Sequence, residues 1–380
     1  MKKLLALHYR PPFKNGRSNS FGQYYFHQVF KGKYEVKGLA FGEKNEHLDD
    51  FKIIPLQRSS IKKIVKFVFG IKSVRLTHFD SNNFSKAFYE EIEEFNPDII
   101  YIEHIVMMQY LIGFKTKAKV ILFDDDSFLY SKKNQLEGNY YQRIRNYRLT
   151  EFEKQALDRA NYIITITDEE KSFLESLGYK NIYWVPYGVD RNYFSFNWTR
   201  PKVNSILFVG NFDHYPNREA IKFLVSEVLP LLPKLECKLK IVGRNIHRIK
   251  KYLSKEIEVF ENVEDMREYY WNSTLFVAPI FSQAGLRIKV LEAAACGIPV
   301  LLTPLANLGI GFNKNEAFVT DNISKETFAT KILEIVSNFE IIAEERLINM
   351  SQLARRKIEN KFSNEASQKN MENFIVNYLK

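Results

Sequence analysis

Short β-rich apolar runs alternate with stretches of helical periodicity along the chain, and this alternation limits the possible folds more than any other feature. Such a chain builds parallel sheets, because each parallel pair needs a crossover long enough to hold a helix. The first series runs through "KLLALHY", "YEVKGLAF", "PDIIYIEH", "AKVILFDDD", "YIITIT" and "NIYWVPYG". Helical patterns such as "SFGQYYFHQVF", "FSKAFYEEIEEF" and "RIRNYRLTEFEKQALDRA" lie between them. A second series starts at "SILFVGN" and continues through "KLKIVGRN", "IEVFENV", "LFVAPI", "PVLLTP" and "AFVTD". Each half reads as a doubly wound α/β domain of the nucleotide-binding kind. The polar, aperiodic passage "YGVDRNYFSFNWTRPKVN" marks the joint. The expected division is 1–190, 191–362 and a terminal helix over 363–380, with Ser363 as its N-cap.

With 380 residues, the chain suits two domains of ordinary size. It is 45% hydrophobic and 14% aromatic, with no low-complexity segment, so the whole chain is expected to fold. The opening "MKKLLALHYR" breaks at His8 and Arg10 with no small-residue cleavage site after it, so a first strand is expected there rather than a secretory signal. No apolar run reaches membrane-spanning length. Two cysteines, Cys237 and Cys296, exclude a disulfide framework and point to the cytoplasm.

The net charge of +10 points to an acidic partner or surface. From Phe51 to Phe79 seven residues are Lys or Arg and none is acidic. Ile61, Ile64, Val65 and Val68 keep helical spacing there while Lys62, Lys63 and Lys66 fall off that face, which makes a basic amphipathic segment over 61–75. Two readings stand side by side: a surface helix packed on its own domain, or a contact with an anionic membrane surface. Nucleic acid fits poorly, because the basic residues are interleaved with aliphatics rather than with stacking platforms.

The stretch "SQAGLRIKVLEAAACGIPVLLTPL" reads as loop, helix, turn and strand, with a stop at Gly297. It places Arg287 and Lys289 in the first helical turn, where unsatisfied backbone N–H groups already make the end positive and acidic residues are favoured. One reading is an anion site, in which the helix N-terminus and two cations receive a phosphate. The other is a Lys289–Glu292 pair at i,i+3 with Arg287 merely exposed. Glu292 favours the first, since a carboxylate behind a phosphate site can accept two ribose hydroxyls.

"GLRIKVLEAAACGIPVLLTPLANLGI" resembles the donor-nucleotide signature of the retaining glycosyltransferases of family 4, the group 1 glycosyltransferases, in the branch where Gly-x-Arg-x-Lys leads into "LEA". "ILFVGNFDHYPNREAIKFLVSEVLPLL", "IITITDEEKSFL" and "YWVPYGVDRNYF" resemble further blocks of that branch in the same order. The similarity spans nearly the whole chain and is weakest in the N-terminal quarter. It implies the GT-B fold: two Rossmann-like domains facing across a cleft, with a C-terminal helix returning to the first domain. It further implies a nucleoside-diphosphate sugar as substrate, no cofactor, and retention of configuration. By resemblance, Glu292 holds the ribose and Arg287 and Lys289 hold the diphosphate, beside Ala284 and Gly285. The backbone at Asn262 and Val263 meets the base, and Arg244 lies near the same face. From the first domain, Asn15 and Gly16 approach the phosphates and His104 lies near the transferred sugar.

Three departures from the family pattern bear on the sugar. The Glu expected eight residues before the ribose-binding Glu is Ala284, the usual Arg and Lys after the first strand of the second domain are absent from "VGNFDHYPN", and the common Asn-Gly-Val-Asp reads Tyr187, Gly188, Val189, Asp190. The triplet Asp124–Asp126 contains an Asp-x-Asp, but a metal-dependent GT-A transferase would not supply a second α/β series; Asp126 is instead the acceptor-side candidate. The expected activity is sugar transfer to a hydroxyl of a glycan or lipid-linked acceptor, in surface polysaccharide or glycolipid synthesis. No residue stands out as a covalent nucleophile. The alternatives are a nucleotide-sugar epimerase of the same fold and a non-catalytic nucleotide-sugar-binding protein.

Overall fold

The computed structural model describes residues 1–13, 19–43, 46–56, 74–125, 140–198, 204–232, 237–282, 285–337 and 344–379. The chain divides into two compact units, Met1–Pro186 with Gln368–Lys380, and Tyr187–Ser367, so the division falls slightly ahead of the expected residue 190.

The first unit is a parallel sheet of β1 (Lys3–His8), β2 (Glu35–Gly42), β3 (Phe51–Pro55), β4 (Ile99–Glu103), β5 (Lys119–Asp124), β6 (Tyr162–Thr165) and β7 (Ile182–Trp184). Its order is β3-β2-β1-β4-β5-β6-β7. The central strands are buried on both faces, which is why "IIYIE" and "KVILFD" read as continuous apolar runs rather than alternating ones. Strand β3 opens the basic stretch in which only a helical pattern was expected, and its Phe51 ring fills the space that Gly38 of β2 leaves. Residues 57–73, with most of the basic amphipathic segment, lie outside the described residues.

Helix Asn82–Phe95 shows how side chains set the ends of an element. Ser81 Oγ accepts from the Phe84 N–H at 3.3 Å, and Asn96, at φ 47°, closes the other end by donating its N–H to Ile92 O. Phe84, Ala87, Phe88 and Phe95 form its buried face.

The second unit holds β8 (Asn204–Asn211), β9 (Cys237–Arg244), β10 (Ile257–Glu261), β11 (Leu275–Ala278), β12 (Val300–Leu302) and β13 (Phe318–Val319), in the order β10-β9-β8-β11-β12-β13. Every described pairing within it is parallel. Helix Ile288–Cys296 follows β11 and ends at Gly297 with φ 88°, where a β-carbon would strike the Phe196 ring. Arg355 fixes that end: its Nη1 donates to Ala295 O at 2.7 Å and to Phe194 O at 2.5 Å, and its Nη2 donates to Arg191 O at 2.8 Å.

The chain ends in helices Glu344–Lys361 and Asn364–Tyr378. Ser363 Oγ accepts from the Ala366 N–H at 3.1 Å and caps the second. Among the described residues no helix is long and apolar enough to cross a membrane.

Candidate nucleotide site of the second unit

Strand order fixes where ligands collect in such sheets: outside the carboxyl ends of the strands, where the order reverses. In the second unit that point lies between β8 and β11. Next to it, Gly210 of β8 and Gly243 of β9 are register partners, and a β-carbon on Gly243 would fall 1.9 Å from Gly210 O. Beyond them Asn245, in the left-handed conformation at φ 59°, donates from Nδ2 to Asn211 Oδ1 at 3.0 Å and to Asp213 Oδ2 at 2.7 Å. Arg248 lies 3.4 Å from Asp213. The passage "VGNFDHYPN" is therefore braced by an Asn–Asp network.

Helix Ile288–Cys296 starts on the β11 side of the same point. Arg287 is its N-cap, at φ −85° and ψ 76°, rather than a residue of its first turn. Gly285, at φ 80°, makes the turn before it. Arg287 Nη2 donates to Ser282 O at 2.5 Å and to Ser282 Oγ at 3.1 Å, which ties the loop to the helix start. Lys289 Nζ lies 2.9 Å from Glu292 Oε2 and 3.3 Å from Oε1. The i,i+3 pair is thus formed, and the countercharge of Lys289 lies within the chain. The Glu292 side chain is 9% exposed and that of Lys289 is 43% exposed.

Tyr270 completes the group: it is fully buried and its hydroxyl donates to Glu292 Oε2 at 3.0 Å. Burial, and then the charge of Glu292, push its phenol well above the usual range, so it stays a donor. Sequence reasoning missed Tyr270, because "MREYYWNS" gives only a helical pattern and the two residues stand 22 apart.

Arg244 ends β9, half-buried, and its carbonyl accepts from the Phe212 N–H at 3.0 Å. Asn262 follows β10 at φ 56° and donates its N–H to Gly243 O at 2.9 Å, with Val263 half-buried beside it. Both lie at the carboxyl edge of the same sheet, and Lys289 and Glu292 are the predicted residues in direct contact with each other. Ala284 lies outside the described residues, as do Asn15, Gly16 and Asp126.

The first unit has its own switch point between β1 and β4. His8 ends β1 and Glu103 ends β4; both are buried, with Nδ1 and Oε2 3.7 Å apart. Tyr9 donates its N–H to Glu103 Oε2 at 3.3 Å, and its ring lies 4.8 Å from that of His104. His104 sits at φ 71° and ψ 129°, a conformation that costs a non-glycine residue on the order of 1–3 kcal/mol. Its Nδ1 accepts from the Val106 N–H at 3.2 Å. Burial drives the His8 imidazole well below its usual range, and burial followed by the Asp125 charge drives the Glu103 carboxyl well above its own. Both shifts favour the neutral form. Asp124 and Asp125 are buried at the end of β5, and among the described residues no three His, Cys, Asp or Glu side chains form a group able to hold a metal.

Two Rossmann-like units of parallel sheet, the second with a cation-bearing helix at its switch point, make up an α/β fold of the GT-B type. The solved structures agree. Sucrose-phosphate synthase of Thermosynechococcus elongatus superposes with a TM-score of 0.75 at 16% identity, covering 100% of this chain and 99% of that one. HepE of Anabaena, solved with UDP and glucose, gives 0.68 at 12% identity over 99% and 100%. TarM of S. aureus, solved with fondaparinux, α-GlcNAc-glycerol and UDP, gives 0.69 at 11% over 98% and 99%. The second unit is more specific: residues 203–338 match the sequence model of the family Glycosyl transferases group 1. An uncharacterized 44.6 kDa protein in the cps region of Klebsiella pneumoniae is 26% identical over 152 residues, which are 37% of this chain and 39% of that protein.

Proposed function

We propose that the chain is a glycosyltransferase that moves a sugar from a nucleoside-diphosphate sugar to a hydroxyl of a glycan or lipid-linked acceptor, with retention and without a metal. The observation that carries this reading is the placement of Arg287, Lys289 and Glu292 at one helix start, at the switch point of a segment matching group 1 glycosyl transferases. Breaking the glycosidic bond leaves negative charge on the departing diphosphate. Cations at the helix start and the helix N–H groups stabilise that charge where it develops. Glu292 then serves the ribose, Arg244 and the Asn262–Val263 backbone serve the rest of the nucleotide, and His104 serves the transferred sugar.

Surface polysaccharide synthesis as the setting draws on the capsule-region relative, and UDP is the first nucleotide to test because HepE and TarM were solved with it. A cytoplasmic chain with inert thiols fits Cys237, which burial pushes up to about 11, and Cys296, which burial pushes further. Attachment to an anionic membrane through 61–75 belongs to the same proposal; replacing Lys62, Lys63 and Lys66 should abolish co-sedimentation with anionic vesicles.

The deciding experiment incubates the purified chain with a panel of nucleotide sugars, with and without polyprenyl-linked and free glycan acceptors. Transfer with retained anomeric configuration is expected. Isomerisation of the nucleotide sugar alone would make it an epimerase, and binding without turnover would make it a non-catalytic receptor.

A further inference from the structure

Glu292 has two partners of opposite character. The Tyr270 hydroxyl reaches it from a fully buried position on helix Arg267–Trp271, in the same apolar layer as Phe276. The Lys289 ammonium reaches it from solvent on a flexible stem and lies across both carboxylate oxygens, at 2.9 and 3.3 Å. One contact is rigid and the other is exchangeable. A vicinal diol bound by a carboxylate needs an acceptor on each oxygen. Tyr270 takes one lone pair of Oε2, whereas Lys289 takes a lone pair on each of the two oxygens that a diol would need.

We propose that Tyr270 is the positioning residue for Glu292 and that Lys289 is an exchangeable gate on it. A nucleoside diphosphate draws the ammonium from the carboxylate onto its phosphates, which frees both Glu292 oxygens for the ribose. This rests on the donor-site reading above and adds to it that phosphate and ribose are recognised jointly. The ammonium exchanges a single carboxylate charge for the larger charge of a diphosphate, so its displacement is compensated. A nucleoside without phosphates must displace Lys289 with no compensation. The site therefore discriminates against nucleosides by more than the missing phosphate contacts, a coupling between two parts of one ligand.

The test uses the full chain and titration calorimetry. UDP, GDP and ADP are compared first, and the tightest is carried forward with its own nucleoside and its 2′,3′-dideoxy diphosphate. Lys289→Met is expected to weaken the diphosphate about tenfold or more, the loss of a charged hydrogen bond. The same variant is expected to strengthen the nucleoside roughly two- to fivefold, the value of a partly exposed ion pair. Tyr270→Phe is expected to weaken the diphosphate roughly three- to tenfold and to leave the dideoxy analogue unchanged.

A nucleoside affinity that stays constant or falls in Lys289→Met, while the diphosphate weakens, overturns the gate and leaves the donor site standing. Equal losses of both diphosphates in Tyr270→Phe overturn the positioning role. Failure to bind any of the three diphosphates defeats the donor-site reading itself.

Discussion

The carbonyl oxygen of Gly210 lies 1.9 Å from the point where a β-carbon on Gly243 would sit. These residues are register partners at the carboxyl ends of β8 and β9, so the backbones meet at the carboxyl edge of the sheet. Gly243→Ala must push the strands apart, and overpacking of this kind costs about 1–3 kcal/mol or more. Thermal unfolding should show a midpoint lowered by several degrees, since each kcal/mol shifts a domain of this size by roughly 2–4 °C. An unchanged midpoint would mean that the close approach is absent in solution.

Arg287 has a structural and an electrostatic task. It ties Ser282 to the helix start through two hydrogen bonds and sets a fixed charge beside the helix N-terminus. Arg287→Ala should weaken nucleoside diphosphate binding by about 1–3 kcal/mol. Lysine in its place should restore only part of that, because a single ammonium does not reproduce the planar fork. Equilibrium titration with UDP measures both. Unchanged affinity in Arg287→Ala and in Lys289→Ala would remove the diphosphate assignment.

The two parallel sheets were legible in the sequence because the central strands are buried on both faces and stand out as apolar runs between helical patterns. Strand β3 was not, since Phe51–Pro55 opens a run of lysines and arginines whose charge pattern hides five residues of sheet. Arg287, expected in the first turn of helix Ile288–Cys296, is instead its cap, because Gly285 at φ 80° turns the chain just before it. The Lys289–Glu292 pair was visible because contacts at i,i+3 follow from helical geometry alone. Contacts between Tyr270 and Glu292, or between Tyr9 and Glu103 at 94 residues' separation, have no local signature. Only the strand order brings such residues together.

Glu103 gives a pH signature. Its folded-state carboxyl is raised above the unfolded value by burial and by Asp125, so between those two values the folded chain holds a proton that the unfolded chain releases. The wild-type first unit therefore loses stability as pH rises through that window. Glu103→Gln keeps an acceptor for the Tyr9 N–H and removes the ionisation. Relative to wild type it should be neutral near pH 4 and increasingly stabilising above, by at most about 1.4 kcal/mol per pH unit. His8 acts in the opposite sense: its lowered value makes the unit lose stability as pH falls below about 6.5, so the Glu103 slope is read above that pH. Urea unfolding of both chains from pH 4 to 8, followed by hydrogen exchange of β1 and β4, measures the difference; a constant offset would mean that folding does not shift the Glu103 carboxyl.

Helix Asn364–Tyr378 begins in one unit and ends in the other, since residues from Gln368 onward count with the first. Its end is held by aromatic packing: the Tyr183 and Tyr378 rings lie 4.2 Å apart, Tyr183 and Phe374 5.0 Å, and Tyr162 donates its hydroxyl to Tyr378 O at 3.0 Å. Burial and the neighbouring Tyr378 raise the Tyr183 phenol to about 12, so its hydroxyl stays protonated at neutral pH. Phe374 is 3% exposed, and truncating a buried phenylalanine costs about 3–5 kcal/mol. Phe374→Ala should therefore speed hydrogen exchange in β6 and β7, the strands that carry Tyr162 and Tyr183, and leave β8 to β13 unchanged. Val376 is 44% exposed, so Val376→Ala serves as the control and should change neither set. Faster exchange in both units after Phe374→Ala would show that the helix supports the whole chain rather than the first unit alone.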